Sequence, residues 1–374
     1  MKYKIKDIGK TITGTTPSTK NKNYYCSKDV MFVSPTDIKN QRYIKQTDKH
    51  ISFIAFADFQ TRHLHKNDII IDCIGSDMGD VGIISQDCMT NQQINAITQI
   101  DKSKVLPLYL YYLLSTKKGY FHLIGSNGST MPIISKSLFD ELEFSVHNID
   151  LQQHIVDTIG SIDDLIENYE NQAHIICSLL KAELKKFSTV IPFSFYSPRI
   201  IKSGIKTFDT TKNYLDTSSV KGVNEIFEGE TITFGRRPSR ANMQPIANSV
   251  WFAKMKASNK IIVVSEKDTD LITGTIFSTG FLGIEATKNL PLSLLTAFLI
   301  SDSFHVKRDM CSVGTTMASI NNDSFLRITV PYLNSKEIDL FESKYKYSVQ
   351  TLCLLRKKIA HLKQAKADLL TKYF

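Results

Sequence analysis

The sequence lacks the motifs that mark the common nucleotide-dependent enzymes. It contains no Walker A loop, and no G-x-G-x-x-G motif follows a predicted strand and opens a helix. It has no Asn/Asp-Pro-Pro-aromatic motif either, so the chain does not look like an amino-methyltransferase. Glu342 and Lys344 match half of a nuclease signature, but they lie in a predicted helix, where this spacing arises by chance. The sequence therefore predicts no catalytic residue.

Cysteine pairs, histidine clusters and long apolar runs are also lacking. The six cysteines are scattered without C-x-x-C spacing, as expected of reduced thiols in the cytoplasm. His63 and His65 could begin a metal site, but no further cluster supports one, and surface histidines are the simpler interpretation. The longest apolar run, residues 290–300, is too short to cross a bilayer, and residues 1–7 have no apolar signal core. We therefore expect a soluble cytoplasmic protein with no metal and no membrane partner.

Positive charge is what the composition has in excess. The chain has 374 residues, enough for two or more domains with their own cores, and its formal net charge is +9. A basic excess of this kind favours a polyanionic partner such as nucleic acid.

One long helix is predicted to begin near residue 148 and to run to residue 187. Apolar side chains recur there every three or four residues, which places them in one stripe along a helix. Asp150 and Gln153 have the spacing of a capping box at its start. At ~1.5 Å per residue the helix is on the order of 55 Å long, so it needs a partner helix to cover its stripe. The stripe consists of Leu151, Ile155, Ile159, Ile162, Ile166, Tyr169, Ala173, Ile176, Leu180, Leu184 and Phe187.

The predicted partner is the segment of residues 334–374, which contains neither proline nor glycine. Asn334 and Glu337 have the spacing of a second cap. Residues 150–187 carry seven acids and three bases, net −4, whereas residues 334–374 carry four acids and nine bases, net +5. Opposite charges favour pairing of these helices with each other. The alternative is two helices that each pack on their own domain. The second stripe consists of Ile338, Phe341, Tyr345, Val349, Leu352, Leu355, Ile359, Leu362 and Leu369.

The chain also contains an internal duplication. Three short segments recur in the same order with offsets of 184, 186 and 185 residues, close to half the chain length. We therefore expect two copies of one unit, each a globular part followed by a long helix. The recurring pairs are KVLPL at 104–108 with KNLPL at 288–292, GSTM at 128–131 with GTTM at 314–317, and KAEL at 181–184 with KADL at 366–369.

Both globular parts have the mixed pattern of the α/β fold class. Residues 30–33, 68–71 and 261–264 are apolar runs typical of strands, and residues 108–116 and 292–301 are predicted helices that each follow a proline. The predicted architecture is two mixed α/β domains separated by two long helices, with an internal pseudo-twofold duplication. The predicted boundaries are 1–147 for the first domain, 148–190 for the first long helix, 191–333 for the second domain and 334–374 for the second long helix.

Two loops have a composition suited to contacts with nucleic acid. Residues 234–244 carry Arg236, Arg237 and Arg240, with Asn242 nearby; arginine can read guanine with two hydrogen bonds, and asparagine can read adenine the same way. Residues 15–25 combine lysines with serine, threonine, asparagine and tyrosine, which suits contacts to phosphate. The alternative for each loop is a solvated turn without a ligand.

Short motifs run through both halves of the chain in a fixed order. The first half contains TGTTPST at 13–19, YY at 24–25, FVSPTDI at 32–38, a glycine-rich stretch at 75–82, TNQQINAI at 90–97, GST at 128–130 and LQQHI at 151–155. The second contains YLDTSSV at 214–220, the arginine loop, STGF at 278–281 and GTT at 314–316. In this order, and with the duplication, they resemble the specificity subunit of type I restriction-modification enzymes over nearly the whole chain.

The chain departs from this family where the long helices begin. The family often has Pro-Pro-Leu and a Glu-Gln pair there, whereas residues 146–153 read VHNIDLQQ and residues 330–333 read VPYL. The departure leaves a capping or partner role for those side chains open.

The resemblance implies two target-recognition domains that each read one half of an asymmetric, interrupted site in double-stranded DNA. Antiparallel long helices would hold the domains apart, set the unread spacer and dock two methyltransferase subunits, which bring S-adenosylmethionine and methylate adenine. Restriction (motor-nuclease) subunits, two where they are present, would cleave DNA with ATP and Mg. The chain itself would bind no cofactor and catalyse nothing.

The residues expected to contact DNA lie in the predicted loops of both halves. Two other functions stay open, a structural coiled-coil adaptor and a specificity module of another restriction or methylation system. An enzyme that acts alone is disfavoured by the missing motifs. The expected contact residues are Thr16, Ser18, Lys20, Lys22, Tyr25, Ser76, Asn91, Gln92, Ser129, Thr130, Arg236, Arg237, Ser239, Arg240, Asn242, Thr315 and Thr316.

Overall fold

A computed structural model describes residues 1–39, 41–126, 132–312 and 318–374. The chain divides into two units. Unit 1 comprises Met1–Asp164 and Ala365–Phe374, and unit 2 comprises Leu165–Gln364.

Unit 1 alternates short strands with short helices and then enters the first long helix. Its elements in chain order are β1 (Lys2–Lys4), α1 (Ile5–Ile8), β2 (Lys10–Thr13), β3 (Val30–Val33), α2 (Pro35–Ile38), β4 (Tyr43–Ile44), β5 (Lys49–Ile51), α3 (Phe53–Asp58), β6 (Ile69–Asp72), β7 (Val81–Ile84), β8 (Cys88–Thr90), β9 (Ile94–Thr98), α4 (Pro107–Ser115), α5 (Lys118–Gly125), α6 (Lys136–Asp140), β10 (Glu143–Ser145) and α7 (Ile149–Leu184), whose residues from Leu165 on belong to unit 2.

Two sheets form the scaffold of unit 1. The larger has five strands in the order β2-β9-β6-β7-β4, and the smaller has three in the order β5-β3-β8. Within these sheets β4 runs parallel to β7 and β3 parallel to β8, while the other neighbours are antiparallel. Every residue of β6, β7 and β9 is buried, and the apolar helix α4 packs on β6 and β7. Strands covered on both faces are continuous apolar runs, which is why they stand out in the sequence.

Unit 2 begins in the first long helix and ends in the second. Its elements after α7 are β11 (Val190–Pro192), β12 (Arg199–Ile200), β13 (Lys212–Leu215), β14 (Val220–Lys221), β15 (Glu225–Ile226), β16 (Glu230–Ile232), β17 (Ala241–Met243), β18 (Ser249–Ala253), β19 (Ile261–Val264), α8 (Thr269–Gly274), β20 (Thr275–Ser278), β21 (Phe281–Glu285), α9 (Leu292–Ile300), α10 (Asp302–Met310), α11 (Asn322–Arg327), β22 (Thr329–Pro331) and α12 (Ser335–Tyr373), whose residues from Ala365 on belong to unit 1.

The two units share one connectivity. In unit 2 the strand order β12-β21-β18-β19 repeats the order β2-β9-β6-β7 of unit 1, and β16-β13-β20 repeats β5-β3-β8. The parallel pair β13–β20 corresponds to β3–β8, and the antiparallel pair β11–β22 corresponds to β1–β10. Unit 2 differs in having β17 beside β20 and a separate antiparallel pair, β14–β15, while β4 of unit 1 has no counterpart in the described sheets of unit 2. The duplication predicted from short sequence matches therefore extends to the topology.

The α/β class and the two long helices are confirmed. Strands β3, β6 and β19 lie at or within one residue of their predicted positions, and helices α4 and α9 follow prolines as expected. Among the residues that the structure describes, no helix combines the length and the apolar character that a bilayer crossing requires.

The long helices run antiparallel within each unit. In unit 2, Glu183 of α7 accepts hydrogen bonds from Lys344 Nζ (3.0 Å) and Tyr345 OH (2.6 Å) of α12, while Glu170 pairs with Lys363 at 3.0 Å. In unit 1, Asp163 of α7 pairs with Lys366 Nζ at 2.7 Å. Residue numbers thus fall along α7 as they rise along α12. The acids of the first helix meet the bases of the second, as their net charges predicted.

The sequence predicted the N-terminal cap of α12 correctly and that of α7 incorrectly. At α12, Asn334 Oδ1 accepts the Glu337 N–H (3.1 Å) and Glu337 Oε2 accepts the Asn334 N–H (2.7 Å), so the predicted capping box is present. At α7 the prediction of an Asp150 cap is wrong. Asn148 Oδ1 accepts the Leu151 N–H at 2.9 Å, and the helix already begins at Ile149.

Candidate nucleic-acid interface

Three loops of unit 1 meet at one edge of its five-stranded sheet. Thr13, the last residue of β2, pairs with Asn95 near the start of β9, and Asp72, the last residue of β6, pairs with Ile94. The loops that follow β2 and β6 therefore lie beside the turn that precedes β9. Backbone hydrogen bonds from Thr15 N to Thr90 O (2.9 Å) and from Cys73 N to Gln93 O (2.8 Å) join them. We call residues 14–25, 73–80 and 91–93 the loop edge of unit 1.

Gly14 shows how closely these loops approach each other. A Cβ atom added there would lie 2.0 Å from Asn91 O and 2.3 Å from Thr90 Oγ1, closer than any side chain tolerates. Glycine is therefore required at this position by space. Arg62 supports the same loop by donating from Nη1 to Thr13 O at 2.9 Å.

Eight of the polar residues predicted from the first half fall on this edge. Thr16 Oγ1 donates to Gln92 Oε1 at 2.8 Å, which links the first loop to the turn before β9. The exposed predicted residues of this edge are Thr16, Ser18, Lys20, Lys22, Tyr25, Ser76 and Gln92.

Tyr25 and Asn91 reach the same edge, but their polar atoms are already bound within the protein. Tyr25 OH donates to Pro17 O at 2.7 Å, and partial burial raises the pKa of the phenol. Asn91 Oδ1 accepts the Gln93 N–H at 3.1 Å, and its Nδ2 donates to Gln93 Oε1 at 2.9 Å. Both side chains therefore hold the loops in place through hydrogen bonds within the protein.

Unit 2 has an equivalent edge that includes the arginine loop. Ala253, the last residue of β18, pairs with Phe281, the first of β21. Thr279 N donates to Arg240 O at 2.9 Å, and Lys254 N donates to Gly280 O at 2.9 Å, so the turn between β20 and β21 lies between Arg240 and Lys254. We call residues 233–242, 254–260 and 279–280 the loop edge of unit 2.

The three arginines of this edge are not equivalent. Arg236 and Arg240 are exposed, as is Ser239. Arg237 is half-buried, because its guanidinium stacks on the Phe234 ring at 4.0 Å and its Nη1 donates to Phe234 O at 2.5 Å. Asn242 is also half-buried. The side chains free to meet a ligand are therefore those of Arg236, Ser239 and Arg240.

The first half of the chain matches a known family. Residues 1–175 match the family model described as the type I restriction modification DNA specificity domain. These residues make up just under half of the chain, and over them the chain is similar to this specificity domain. The match ends within α7, but unit 2 repeats the connectivity of unit 1, so the second half has the same plan.

Two specificity subunits are similar to part of the chain. The chain is 35% identical over 176 residues to the type I restriction enzyme MjaIX specificity subunit of Methanocaldococcus jannaschii, which covers 46% of this chain and 40% of that protein. It is 32% identical over 140 residues to the HindI specificity subunit of Haemophilus influenzae, over 37% of this chain and 30% of that protein. The aligned part thus spans less than half of either relative.

The fold resembles the S subunit of a type I restriction-modification system from M. genitalium. The two chains superpose with a TM-score of 0.59 at 15% identity, over 100% of this chain and 96% of that one. At this identity the likeness concerns the fold. It extends over both halves of the chain, whereas the match to the specificity family covers the first.

Four predicted contact residues, Ser129, Thr130, Thr315 and Thr316, lie outside the described residues. The segments that follow them are attached to the loop edges. Gly75 N donates to Pro132 O at 3.0 Å in unit 1, and Lys256 N donates to Ala318 O at 2.9 Å in unit 2. A contact role for the four residues stays a prediction.

Sequence reasoning missed the lysines of residues 254–260. Lys254 and Lys256 belong to the loop edge of unit 2, and Lys260 Nζ donates to Thr217 O at 2.5 Å. In the sequence they follow an apolar strand without any glycine- or arginine-rich signal. The alignment of the two copies would have found them, because residues 254–260 occupy the place of the glycine-rich stretch of unit 1.

The pair His63 and His65 serves other contacts. The His63 ring stacks on Phe56 with a centroid distance of 3.5 Å, and His65 Nδ1 lies 2.9 Å from Asp87 Oδ1. Within the described residues no group of three or more His, Cys, Asp or Glu side chains could hold a metal ion.

Proposed function

We propose that the chain is the DNA-reading subunit of a type I restriction-modification complex, with each loop edge contacting one half of a two-part site in double-stranded DNA. The observation that carries this proposal is the repeated loop edge. The first lies in the part of the chain that matches the specificity-domain model, and the second is built on the same strand order.

The side chains of the two edges suit this role. Exposed Arg236 can donate two hydrogen bonds to the major-groove edge of guanine, and exposed Arg240 adds a positive charge to the same edge. Lys20 and Lys22, with Thr16 and Ser18, offer charged and hydroxyl donors for phosphate oxygens. Base contacts would supply the specificity, and phosphate contacts would fix the register on the duplex.

The chain supplies recognition and leaves the chemistry to its partners. The proposed partners are two methyltransferase subunits that use S-adenosylmethionine and, where restriction accompanies methylation, two motor-nuclease subunits that use ATP and Mg. The two long helices would set the length of the unread spacer between the half-sites and dock the methyltransferase subunits.

One face of α12 supports docking of a partner helix. Leu340, Tyr347 and Leu354 recur every seven residues and are 68%, 73% and 50% exposed. A seven-residue apolar repeat is the pattern by which one helix packs along another. We propose that a helix of a methyltransferase subunit covers this stripe, because the opposite face of α12, with Phe341, Tyr345 and Val349, is already buried within unit 2.

The decisive experiment combines purification with mapping of methylated DNA. The tagged chain is purified from its native cells, the bound proteins are identified, and methylated adenines are mapped genome-wide with and without the chain. We expect two methyltransferase copies per chain and the loss of one two-part adenine motif on deletion. An unchanged methylation map without a methyltransferase partner would overturn the proposal and favour a structural coiled-coil adaptor.

A further inference from the structure

One backbone position carries different side chains in the two units. In unit 1, Cys73 N donates to Gln93 O (2.8 Å) and Cys73 O accepts the Ile134 N–H (2.9 Å). In unit 2, Lys254 N donates to Gly280 O (2.9 Å) and Lys254 O accepts the Ile320 N–H (3.0 Å). Each residue directly follows the central strand β6 or β18. The same position is therefore occupied by a buried, neutral thiol in one unit and by an ammonium group in the other.

The surroundings of Lys254 leave its charge unbalanced. The side chain is half-buried, and loss of hydration together with the nearby charge of Arg240 lowers its pKa. No acidic residue of the described chain counters this lowering. A nearby like charge disfavours the charged form of a lysine, and a bound anion would offset this effect.

The loop that carries Lys254 is held in place from helix α10. Asp309 Oδ1 accepts the Ala257 N–H at 3.1 Å, and the buried Arg308 donates from Nη1 to Ser258 O. Ala257 adopts a left-handed conformation with φ of 57°, which few residues other than glycine take up without such support. The loop is thus ordered before any ligand arrives.

The corresponding loops of the two units have opposite charge. Residues 254–260 contain three lysines and no acid, whereas residues 73–80 contain two acids and no base. In unit 1, Asp77 pairs with Lys39 at 2.8 Å, and Asp80 pairs with Lys118. The unit 1 loop therefore has its charge balanced inside the protein, whereas among the described residues no ion pair balances the lysines of the unit 2 loop.

We propose that Lys254 and Arg240 together bind one DNA phosphate group at the loop edge of unit 2, and that the equivalent position of unit 1, occupied by Cys73, makes no such contact. This inference rests on the proposed DNA-reading function.

The test measures how DNA binding depends on salt. The full chain, with the subunits that co-purify with it, is titrated onto a double-stranded DNA containing the mapped site at several KCl concentrations. Each phosphate contact adds about 0.9 to the negative slope of log K against log salt. We expect Lys254→Met to reduce that slope by about one, with similar loss on a random duplex, and Lys254→Arg to preserve it.

Two further variants complete the design. Lys254→Cys installs the residue that unit 1 has at this position, and Lys288→Met removes an exposed lysine at the opposite end of β21. We expect the first to match Lys254→Met and the second to leave the slope unchanged. If Lys254→Met and Lys254→Cys do not fold, Arg240→Met tests the same contact. The Arg240 side chain is exposed, so its replacement should not disturb folding.

The outcomes separate this inference from the proposed function. If the wild-type complex shows no salt-dependent binding, the proposed function fails. If it binds and Lys254→Met keeps the wild-type slope, only the inference about Lys254 is overturned. A loss confined to one base sequence with an unchanged slope would identify Lys254 as a base contact and overturn the phosphate assignment.

Discussion

Asp72 is an acid in an unfavourable environment. It ends strand β6 with 1% of its surface exposed, and its Oδ1 accepts the Ile74 N–H at 3.2 Å. Its Oδ2 has no hydrogen-bond partner within the described part of the chain. Burial, with a smaller contribution from Asp80 and Asp77, raises the pKa of the carboxyl to about 6. The native state therefore holds a proton there that the unfolded chain releases near pH 4.

We expect Asp72→Asn to change the pH dependence of stability. Since the native state binds this proton more tightly than the unfolded state, stability falls as pH rises from about 4 to about 6. The free energy of unfolding of the wild type should drop between pH 4.5 and 7.5 by about 1–2 kcal/mol more than that of the variant. Urea titrations of both proteins at the two pH values measure the difference. Parallel pH profiles would show that Asp72 does not titrate in this range.

The arginine loop offers a contrast between two neighbouring residues. Arg236→Ala should relax the base preference in one half-site only, at ~1–3 kcal/mol per lost base contact. Arg237→Ala should lower stability instead, because its guanidinium stacks on Phe234. Binding to duplexes substituted in either half, together with thermal unfolding, distinguishes the two effects. Equal loss on all sequences for Arg236→Ala would mark it as a phosphate contact alone.

The helix caps give a prediction at the scale of an element. Asn334→Ala removes the acceptor for the Glu337 N–H at the start of α12 and should cost ~1 kcal/mol of stability. Asn171→Ala, at an exposed position inside α7, is the matched control and should be neutral or slightly stabilising. Chemical denaturation of both variants provides the comparison. A neutral Asn334→Ala would mean that water replaces the cap.

The exposed stripe of α12 can be tested without disturbing the fold. Tyr347→Glu places a charge where a partner helix is proposed to pack, on a side chain that is 73% exposed. We expect the methyltransferase subunit to be lost from the purified complex while the melting temperature of the isolated chain stays within about 1–2 °C, as for surface substitutions. Exposed Lys346→Glu, one residue away, controls for charge alone. Undiminished co-purification of Tyr347→Glu would exclude this face as the docking surface.

The long helices were predictable from the sequence, and their starts were only partly so. A stripe that repeats over more than thirty residues is hard to mistake for anything but a helix, whereas Asn148 and Asp150 are both good capping residues two positions apart. The sheets were harder to predict from the sequence, since β9 pairs with β2 and β6 across long stretches of chain. Without that pairing, no local pattern brings residues 14–25 together with 91–93, or Arg240 together with Lys254. The stacking of Arg237 on Phe234 was hidden for the same reason, because composition does not show where a guanidinium points.

At the scale of the whole molecule, the predicted spacing role of the helices can be tested directly. Removing about four residues, one helical turn of ~6 Å, from both α7 and α12 should shorten the unread spacer of the methylated motif by about one or two base pairs. As a control, deleting about four exposed loop residues instead should leave the spacer length unchanged. Methylation mapping in cells that carry each variant reads out the spacer. A motif of unchanged spacing with the shortened helices would exclude them as the determinant.

The shared hydrogen-bond frame around Cys73 and Lys254 has a consequence for how such a protein changes over generations. The backbone partners of the two residues are the same, and their side chains differ in charge, length and surroundings. Because this backbone arrangement accepts either residue, a substitution at the position can alter a binding preference without destabilising the fold. New recognition properties can then arise by single substitutions at the loop edges, while inheritance of the strands and helices stays intact.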